Sequence, residues 1–219
     1  MKHLIFLGFL LLMLTHVQSQ QIYLDLGKTF SQFDYKNTEG EKLEGLLGSN
    51  QNNLGLGYRM SILKTGWHFL GGVSYQKYGA KGSDQSLGNY YEWDATLLGA
   101  NAGIDYEFFK PEFNYSERYR FTLYLRGMAA TEFLMQGTQI MNSQIYDLKK
   151  KEEFDQPFLF LRGSIGAKYY LSKVLSVYAQ YMGGKSFLFF GNYSNKEQLR
   201  ITTHSFNIGI SICLTNKGG

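Results

Sequence analysis

The chain has 219 residues, of which 44% are hydrophobic and 16% aromatic, with a formal net charge of +4. This length suits one domain, and 25 glycines against two prolines argue for strands with glycine-relieved bends and against disorder. Charges of both signs are mixed without a long basic stripe, so the sequence does not favour a nucleic-acid-binding protein.

The first 19 residues have the pattern of a secretory signal peptide. Lys2 precedes an apolar run over residues 4–14, and Val17 and Ser19 occupy the −3 and −1 positions of a cleavage site. The run is too short to span a bilayer as a helix, and the alternative is a buried N-terminal strand. We predict a signal peptide at 1–19 and an exported domain at 20–219, whose single cysteine, Cys213, excludes an internal disulfide framework.

Apolar residues alternate with other residues along the mature chain, which is typical of β-strands. In NNLGLGYRMSI, at 52–62, one parity is almost entirely apolar: Leu54, Leu56, Tyr58, Met60 and Ile62. The same pattern predicts eight strands, at 22–35, 52–62, 67–79, 90–108, 119–135, 157–171, 174–189 and 199–214. Helical spacing is not sustained anywhere after the signal peptide.

The predicted connections alternate in length. Two are tight (63–66 and 172–174), one is moderate (109–118), and four are long: 36–51, 80–89, 136–156 and 190–198. This alternation places the long connections on one rim, as in outer-membrane barrels. We therefore predict an all-β fold, an eight-stranded antiparallel up-and-down transmembrane β-barrel.

A soluble exported barrel of the lipocalin kind would show the same alternation with its faces exchanged. Two features favour the membrane. The predicted strands are longer than the usual five or six residues of globular proteins, and aromatic residues such as Trp67 and Tyr106 lie near strand ends, where an interfacial girdle is expected.

Lys28 does not fit an unbroken first strand. Its parity is that of Ile22, Leu24 and Leu26, which predicts a lipid-facing lysine about 15 Å up, at a cost of roughly 2–4 kcal/mol. The apolar parity then changes to Phe33. A β-bulge near Gly27 would explain both observations by turning Lys28 inward and Phe33 outward.

The signal ending VQSQ, the first strand QIYLDLG, the second strand NNLGLGYRMSI and the closing HSFNIGISICL resemble the small PorT-like outer-membrane barrel proteins of Bacteroidetes-type bacteria. In size and plan the chain also resembles the OmpA transmembrane domain and OmpX. The resemblance covers the mature chain and implies an eight-stranded barrel with both termini in the periplasm and the long loops outside the cell. It implies no particular activity.

Seven charged side chains have the inward parity of a membrane barrel and form a candidate lumen network: Asp25, Arg59, Asp105, Arg126, Glu132, Arg162 and Lys168. Counted from the periplasmic rim, Asp25, Arg59, Asp105 and Lys168 share one layer at roughly 7 Å. Glu132 and Arg162 lie higher, on neighbouring strands, in positions to pair. The pattern predicts an ionic plug, and the alternative is a gated ion path along the same residues.

No catalytic, cofactor-binding or metal-ligating set is predicted. His204 and Ser205 are similar to the His-Ser pair of lipid A deacylases, but consecutive strand residues point to opposite faces, and no acidic residue follows to orient the imidazole. His68 has no evident cysteine or carboxylate companion. In the loop at 136–156, the charged run Lys149, Lys150, Lys151, Glu152 and Glu153 suggests binding to lipopolysaccharide phosphates or a protein, and the alternative is a solvated loop.

The sequence therefore predicts a non-enzymatic outer-membrane barrel that is a structural or accessory component of the bacterial envelope. Its expected partners are outer-membrane lipids, lipopolysaccharide and a protein of an envelope complex, without nucleic acid. The alternatives are a small-solute channel and a lipid A-modifying enzyme.

Overall fold

The computed structural model describes residues 20–43, 45–62, 66–83, 88–108, 120–151, 154, 156–187 and 198–214. The predicted signal peptide at 1–19, together with Glu152 and Glu153, lies outside these residues. Within them, no helix is both long enough and apolar enough to cross a membrane.

Nine strands lie in the described ranges: β1 Gln20–Lys36, β2 Leu47–Ser61, β3 Trp67–Ser83, β4 Tyr90–Glu107, β5 Phe121–Met141, β6 Gln144–Asp147, β7 Phe158–Tyr170, β8 Leu175–Phe187 and β9 Gln198–Cys213. Eight of them form a closed antiparallel ring in the order β1-β2-β3-β4-β5-β7-β8-β9, in which β9 pairs with β1. The short β6 extends β5 as a hairpin. The predicted eight-stranded up-and-down barrel is confirmed.

The outer wall of the barrel is apolar. In the stretch NNLGLGYRMSI, Leu54 and Leu56 point outward, whereas Asn53 and Arg59 are buried in the interior. Large exposed hydrophobic side chains come from all eight ring strands and include Leu26, Leu56, Val73, Leu98, Leu125, Ile165, Tyr181 and Ile208. We call this band the apolar belt; its extent far exceeds the patches of a soluble monomer and matches a wall that faces lipid.

The two ends of the barrel differ. The terminal rim carries Gln20, Cys213 and the strand ends that are joined through 62–66, 108–120 and 171–174, and the distal rim carries the strand ends that are joined through 37–46, 84–89, 142–157 and 188–197. The predicted alternation of connection length is only partly kept, because β3 continues to Ser83, well into the predicted long loop at 80–89.

The prediction of a long loop at 136–156 is wrong for its first half. β5 continues to Met141, and Asn142 and Ser143, with φ of 48° and 71°, turn the chain into β6. A short 3₁₀ turn, Leu148–Lys150, follows, and the Asp147 carboxylate accepts a hydrogen bond from the Lys149 amide at its start. Paired Asn and Ser with positive φ are typical of a tight hairpin turn.

The predicted β-bulge near Gly27 is also wrong. β1 pairs with β9 without a register shift from Gln21 to Lys36, so Lys28 points outward and Phe33 inward. Lys28 lies opposite Asn52 and Phe206, one step below His204, at the upper edge of the apolar belt. Strands of a closed barrel are tilted and staggered, so height cannot be counted from each strand's own end. At this level a lysine amine can reach the interface.

Candidate functional site in the barrel interior

A charged cluster fills the interior next to the terminal rim. We call its members, Arg59, Asp105, Glu107, Arg126 and Lys168, the charged floor. Arg59 is central, because its Nη2 lies 2.8 Å from Oδ1 of Asp105 and 2.8 Å from Oε1 of Glu107. Its Nε also donates to Asp105 at 2.9 Å. Arg59 is 1% exposed, so these charges are shielded from solvent.

Each carboxylate of the charged floor has two cationic partners. Asp105 is paired with Arg59 and, at 3.3 Å, with Nη2 of Arg126. Glu107 is paired with Arg59 and, at 2.8 Å, with Nζ of Lys168. Buried charges are tolerated when they are paired and hydrogen-bonded in this way. Glu107 was missed at the sequence level, although it shares the inward parity of Asp105 two residues earlier.

Tyrosine side chains pack around the floor. Tyr23, Tyr124 and Tyr178 form a buried cluster with Leu70, and the Arg126 guanidinium lies 5.1 Å from the centre of the Tyr124 ring. The tyrosine rings rest on inward glycines of neighbouring strands, where a Cβ atom would overlap them: Tyr23 on Gly57, Tyr124 on Gly166 and Tyr178 on Gly209. Cation–π contact and tight packing close the spaces between the charges.

Asp25 is held differently from the other three residues of its predicted layer. The hydroxyl of Tyr178 donates a hydrogen bond to its carboxylate, and among the described residues it forms no salt bridge. Of the four residues that the sequence places in one layer, Arg59 and Asp105 form a direct salt bridge, and Lys168 is linked to Arg59 through Glu107. Asp25 retains 9% exposure, whereas Asp105 retains 1%.

A separate ion pair lies higher in the interior. Arg162 Nη2 is 2.6 Å from Oε1 of Glu132, and the Tyr78 hydroxyl donates to Oε2 of Glu132 at 2.7 Å while accepting from Arg162. We call these three residues the upper triad. Glu132 is fully buried, and within the described residues Arg162 is its single cationic partner.

Apolar side chains close the interior at the distal end. We call this cluster the apolar roof; its members are Phe33, Tyr78, Ala80, Trp93, Ala95, Leu97, Ala130, Leu148, Phe154, Phe158, Phe160, Leu199 and Ile201. Most come from ring strands, but Leu148 and Phe154 belong to the connection between β5 and β7, which folds over the barrel mouth. Phe160, Leu97 and Ile201 have no exposed surface.

Small polar side chains lie between the floor and the roof. This middle layer includes Thr29, Asn53, Ser74, Asn101, Ser205 and Asn207. Asn53 donates to Thr29 at 2.8 Å, whereas Ser74 Oγ, Asn101 Oδ1 and Asn207 Oδ1 have no hydrogen-bond partner among the described residues. Buried polar atoms of this kind are usually satisfied by water.

The two histidines of the described chain lie on opposite faces. His204 points outward and its Nδ1 is 2.6 Å from the Tyr181 hydroxyl, while Ser205 is buried and its hydroxyl donates to the Met182 carbonyl. His68 does have a carboxylate neighbour, contrary to expectation: its Nδ1 lies 3.1 Å from Asp105. The described residues contain no group of three or more His, Cys, Asp or Glu side chains placed to hold a metal ion.

The structure describes only part of the charged run at 149–153. Lys149 is exposed, and Lys151 lies with its amine 5.3 Å from the centre of the Tyr146 ring. Cys213 is half-buried at the terminal rim.

No protein-family model matches the chain, and no curated protein matches its sequence. Among solved structures, the outer membrane protein OprG from Pseudomonas aeruginosa is similar over 92% of this chain and 98% of its own, with 13% identity and a TM-score of 0.52. Neisserial surface protein A (NspA) is similar over 87% of this chain and 96% of its own, with 12% identity and a TM-score of 0.47. The likeness to OprG, together with the apolar belt, shows the fold of an outer-membrane β-barrel.

Proposed function

We propose that this protein is a non-enzymatic barrel of the bacterial outer membrane that acts as a structural or accessory component of the cell envelope. The observation that carries the proposal is the double closure of the interior. Arg59, Asp105 and Lys168 leave at most 2% of their surface exposed in the charged floor, and the members of the apolar roof leave at most 5%. A barrel closed at both levels acts through its outer surfaces, where proteins and lipids bind.

Orientation and family belong to the same proposal. We place the terminal rim in the periplasm and the distal rim outside the cell, because outer-membrane barrels carry their longer connections there. The exposed outward carboxylates Asp34 and Asp94 near the distal rim fit strands that extend beyond the membrane on that side. The resemblance of several strands to PorT-like barrels of Bacteroidetes-type bacteria suggests a place in a larger envelope assembly, with Lys149 and Lys151 available to a protein or to lipopolysaccharide.

Conductance across a planar bilayer tests the closed interior. We expect no steady current from purified wild-type protein, because ions would have to pass both the charged floor and the apolar roof. A gel comparison of unboiled and boiled samples must first show the faster unboiled band of a closed barrel. A stable open channel in protein that passes this control would overturn the proposal.

A small-solute channel is the second candidate, and the polar middle layer favours it. Ser74, Asn101 and Asn207 present to the interior polar atoms that have no partner in the described part of the chain, as the wall of a solute path does. Transport would require the floor and the roof to open. A steady current in the same bilayer experiment would promote this function to first place.

Two further experiments address partners and enzymatic activity. Co-purification from native membranes at low detergent should recover a stoichiometric envelope protein if the barrel is an accessory subunit. Mass spectra of lipid A from a deletion strain should equal those of the parent strain. A changed lipid A would instead support an enzyme, although the opposed faces of His204 and Ser205 do not favour one.

A further inference from the structure

We propose that the outer wall formed by β7, β8, β9 and β1 binds one phosphorylated lipid A molecule, with its acyl chains in an apolar groove and its phosphates against Lys28 and Lys185. The inference rests on the proposal that the barrel spans an outer membrane with its distal rim outside. It adds a specific lipid site to that function.

The groove results from small side chains in the apolar belt. Ala167 on β7 and Ala179 on β8 lie opposite each other, between larger neighbours such as Tyr181 and Ile208. They form the base of a groove of about 840 Å³ whose upper end is lined by Lys28. A second groove of about 520 Å³ shares Ala167, Ala179 and Ile208 and continues towards the terminal rim. The two form one depression along the wall, suited to acyl chains lying parallel to the membrane normal.

Cationic side chains lie above this groove. Lys28 is outward on β1, and Lys185 is outward on β8, opposite Thr202 of β9. Neither lysine forms an ion pair with a residue that the structure describes. On the other side of the barrel, by contrast, Lys81 is paired with Glu92 at 2.6 Å.

The charge of the wall selects an anion. Along β8, β9 and β1, the outward residues of the apolar belt include no acidic side chain; the first one above it is Asp34, opposite Arg200. A cation at the edge of a low-dielectric region gains most from an anionic partner, and basic sites beside membrane-spanning segments bind lipid headgroups. A narrow depression with cations at one end fits a lipid better than a flat protein interface.

Native mass spectrometry of the full-length protein in detergent tests the headgroup. We expect one bound diphosphoryl lipid A, with lower affinity for monophosphoryl lipid A and lower still for phosphatidylglycerol. Lys28→Gln and Lys185→Gln should each weaken diphosphoryl lipid A binding about fivefold. Lys77→Gln, which removes an outward lysine on β3, is the matched control and should leave the affinity unchanged.

Several results would overturn the proposal. Equal affinity for the three lipids would show that the phosphates are not recognised, and an equal loss with Lys77→Gln would show a diffuse charge effect. Preference for phosphatidylglycerol would assign the site to a phospholipid instead. The variants change outward residues, so the unboiled gel band shows independently whether each one has folded. Loss of that band in the wild-type protein would contradict the proposed membrane barrel and not the lipid site.

A second pair of variants tests the groove. Ala179→Phe should fill its base and abolish retention of lipid A through purification, whereas Ala102→Phe, also an outward alanine but on β4 and outside the groove, should not. Retention by Ala179→Phe would overturn the assignment of the acyl chains. A dimer signal that disappears with Ala179→Phe would show that a second copy of the chain occupies the groove, and it would equally overturn the lipid assignment.

Discussion

The charged floor and the apolar roof occupy the same barrel, and their side chains have the same inward parity. Around the floor, charged residues lie inside and apolar residues such as Leu56 and Ile104 face outward. Around the roof the arrangement is inverted: Phe33 and Trp93 lie inside, while Asp34 and Asp94 on the same strands are exposed. The medium around the barrel therefore changes along its length, from lipid to water.

This difference shows that the medium outside the wall determines which residues can fill the interior. Where the wall faces lipid, the apolar residues are outside, and the interior must satisfy its polar groups by mutual pairing. Where the wall faces water, burial of apolar side chains stabilises the interior as in a soluble barrel. The two regions should consequently respond differently to substitution.

The upper triad gives the largest expected effect, because it places a charge beneath the apolar roof with one cationic partner. Arg162→Met should lower the free energy of unfolding by about 3–5 kcal/mol, since it strands the buried Glu132 carboxylate. Adding Glu132→Leu should restore most of the loss. Urea unfolding in lipid vesicles, followed by fluorescence of Trp67 and Trp93, measures both. A double variant as unstable as the single one would mean that packing, and not the stranded charge, dominates.

Adjacent leucines on β4 compare the two faces directly at the boundary between the apolar belt and the roof. Leu97 is fully buried, whereas Leu98 points outward and is 45% exposed. Leu97→Ala should cost about 3 kcal/mol, because it leaves a cavity in a packed core. Leu98→Ala should cost less than about 1 kcal/mol, because lipid chains replace the lost contacts. Equal losses in the same unfolding assay would contradict a soluble-type core beneath the distal rim.

The charged floor should be more tolerant than the upper triad, because its acids keep a second cation. Arg59→Met leaves Asp105 with Arg126 and Glu107 with Lys168. We expect a loss of about 2 kcal/mol, the range for hydrogen bonds to charged groups. Arg200→Met, at an exposed outward arginine, should change stability by less than about 0.5 kcal/mol. A loss for Arg59→Met as large as for Arg162→Met would show that the floor does not act as a redundant network.

The strands and the inward charges could be predicted because alternation is a local signal. Residues 52–62 on β2 and 98–108 on β4 show the pattern without any knowledge of their neighbours. The pairing of Arg59 with Asp105 could not be predicted in the same way, because β2 and β4 are separated by β3 and the contact depends on the register of both strand pairs. The same holds for the tyrosine rings on glycines.

The apolar roof was missed for a different reason. Phe33 shares its parity with Asp25, and the sequence interpretation took the change from polar to apolar as a bulge. The strand in fact continues straight while the medium outside it changes. Alternation shows which residues share a face but not whether that face contacts lipid, water or the interior. A strand that leaves the membrane therefore shows the same change of pattern as a strand with a β-bulge.

The connection between β5 and β7 gives the smallest expected effect on global stability. Leu148 is fully buried against the roof, beside the exposed Lys149, whereas Ile145 in the same connection is 71% exposed. Leu148→Ser should release the connection and raise the rate of tryptic cleavage at Lys149 and Lys151 at least about tenfold, because burial of a leucine is worth about 1.5–3 kcal/mol. Ile145→Ser should leave the rate unchanged. Because the ring strands are untouched, both variants should keep the unboiled gel band, and Ile145→Ser should also keep the unfolding free energy of the wild type. Cleavage of the wild type as fast as of Leu148→Ser would mean that the connection does not close the mouth, and that the roof is formed by the ring strands alone.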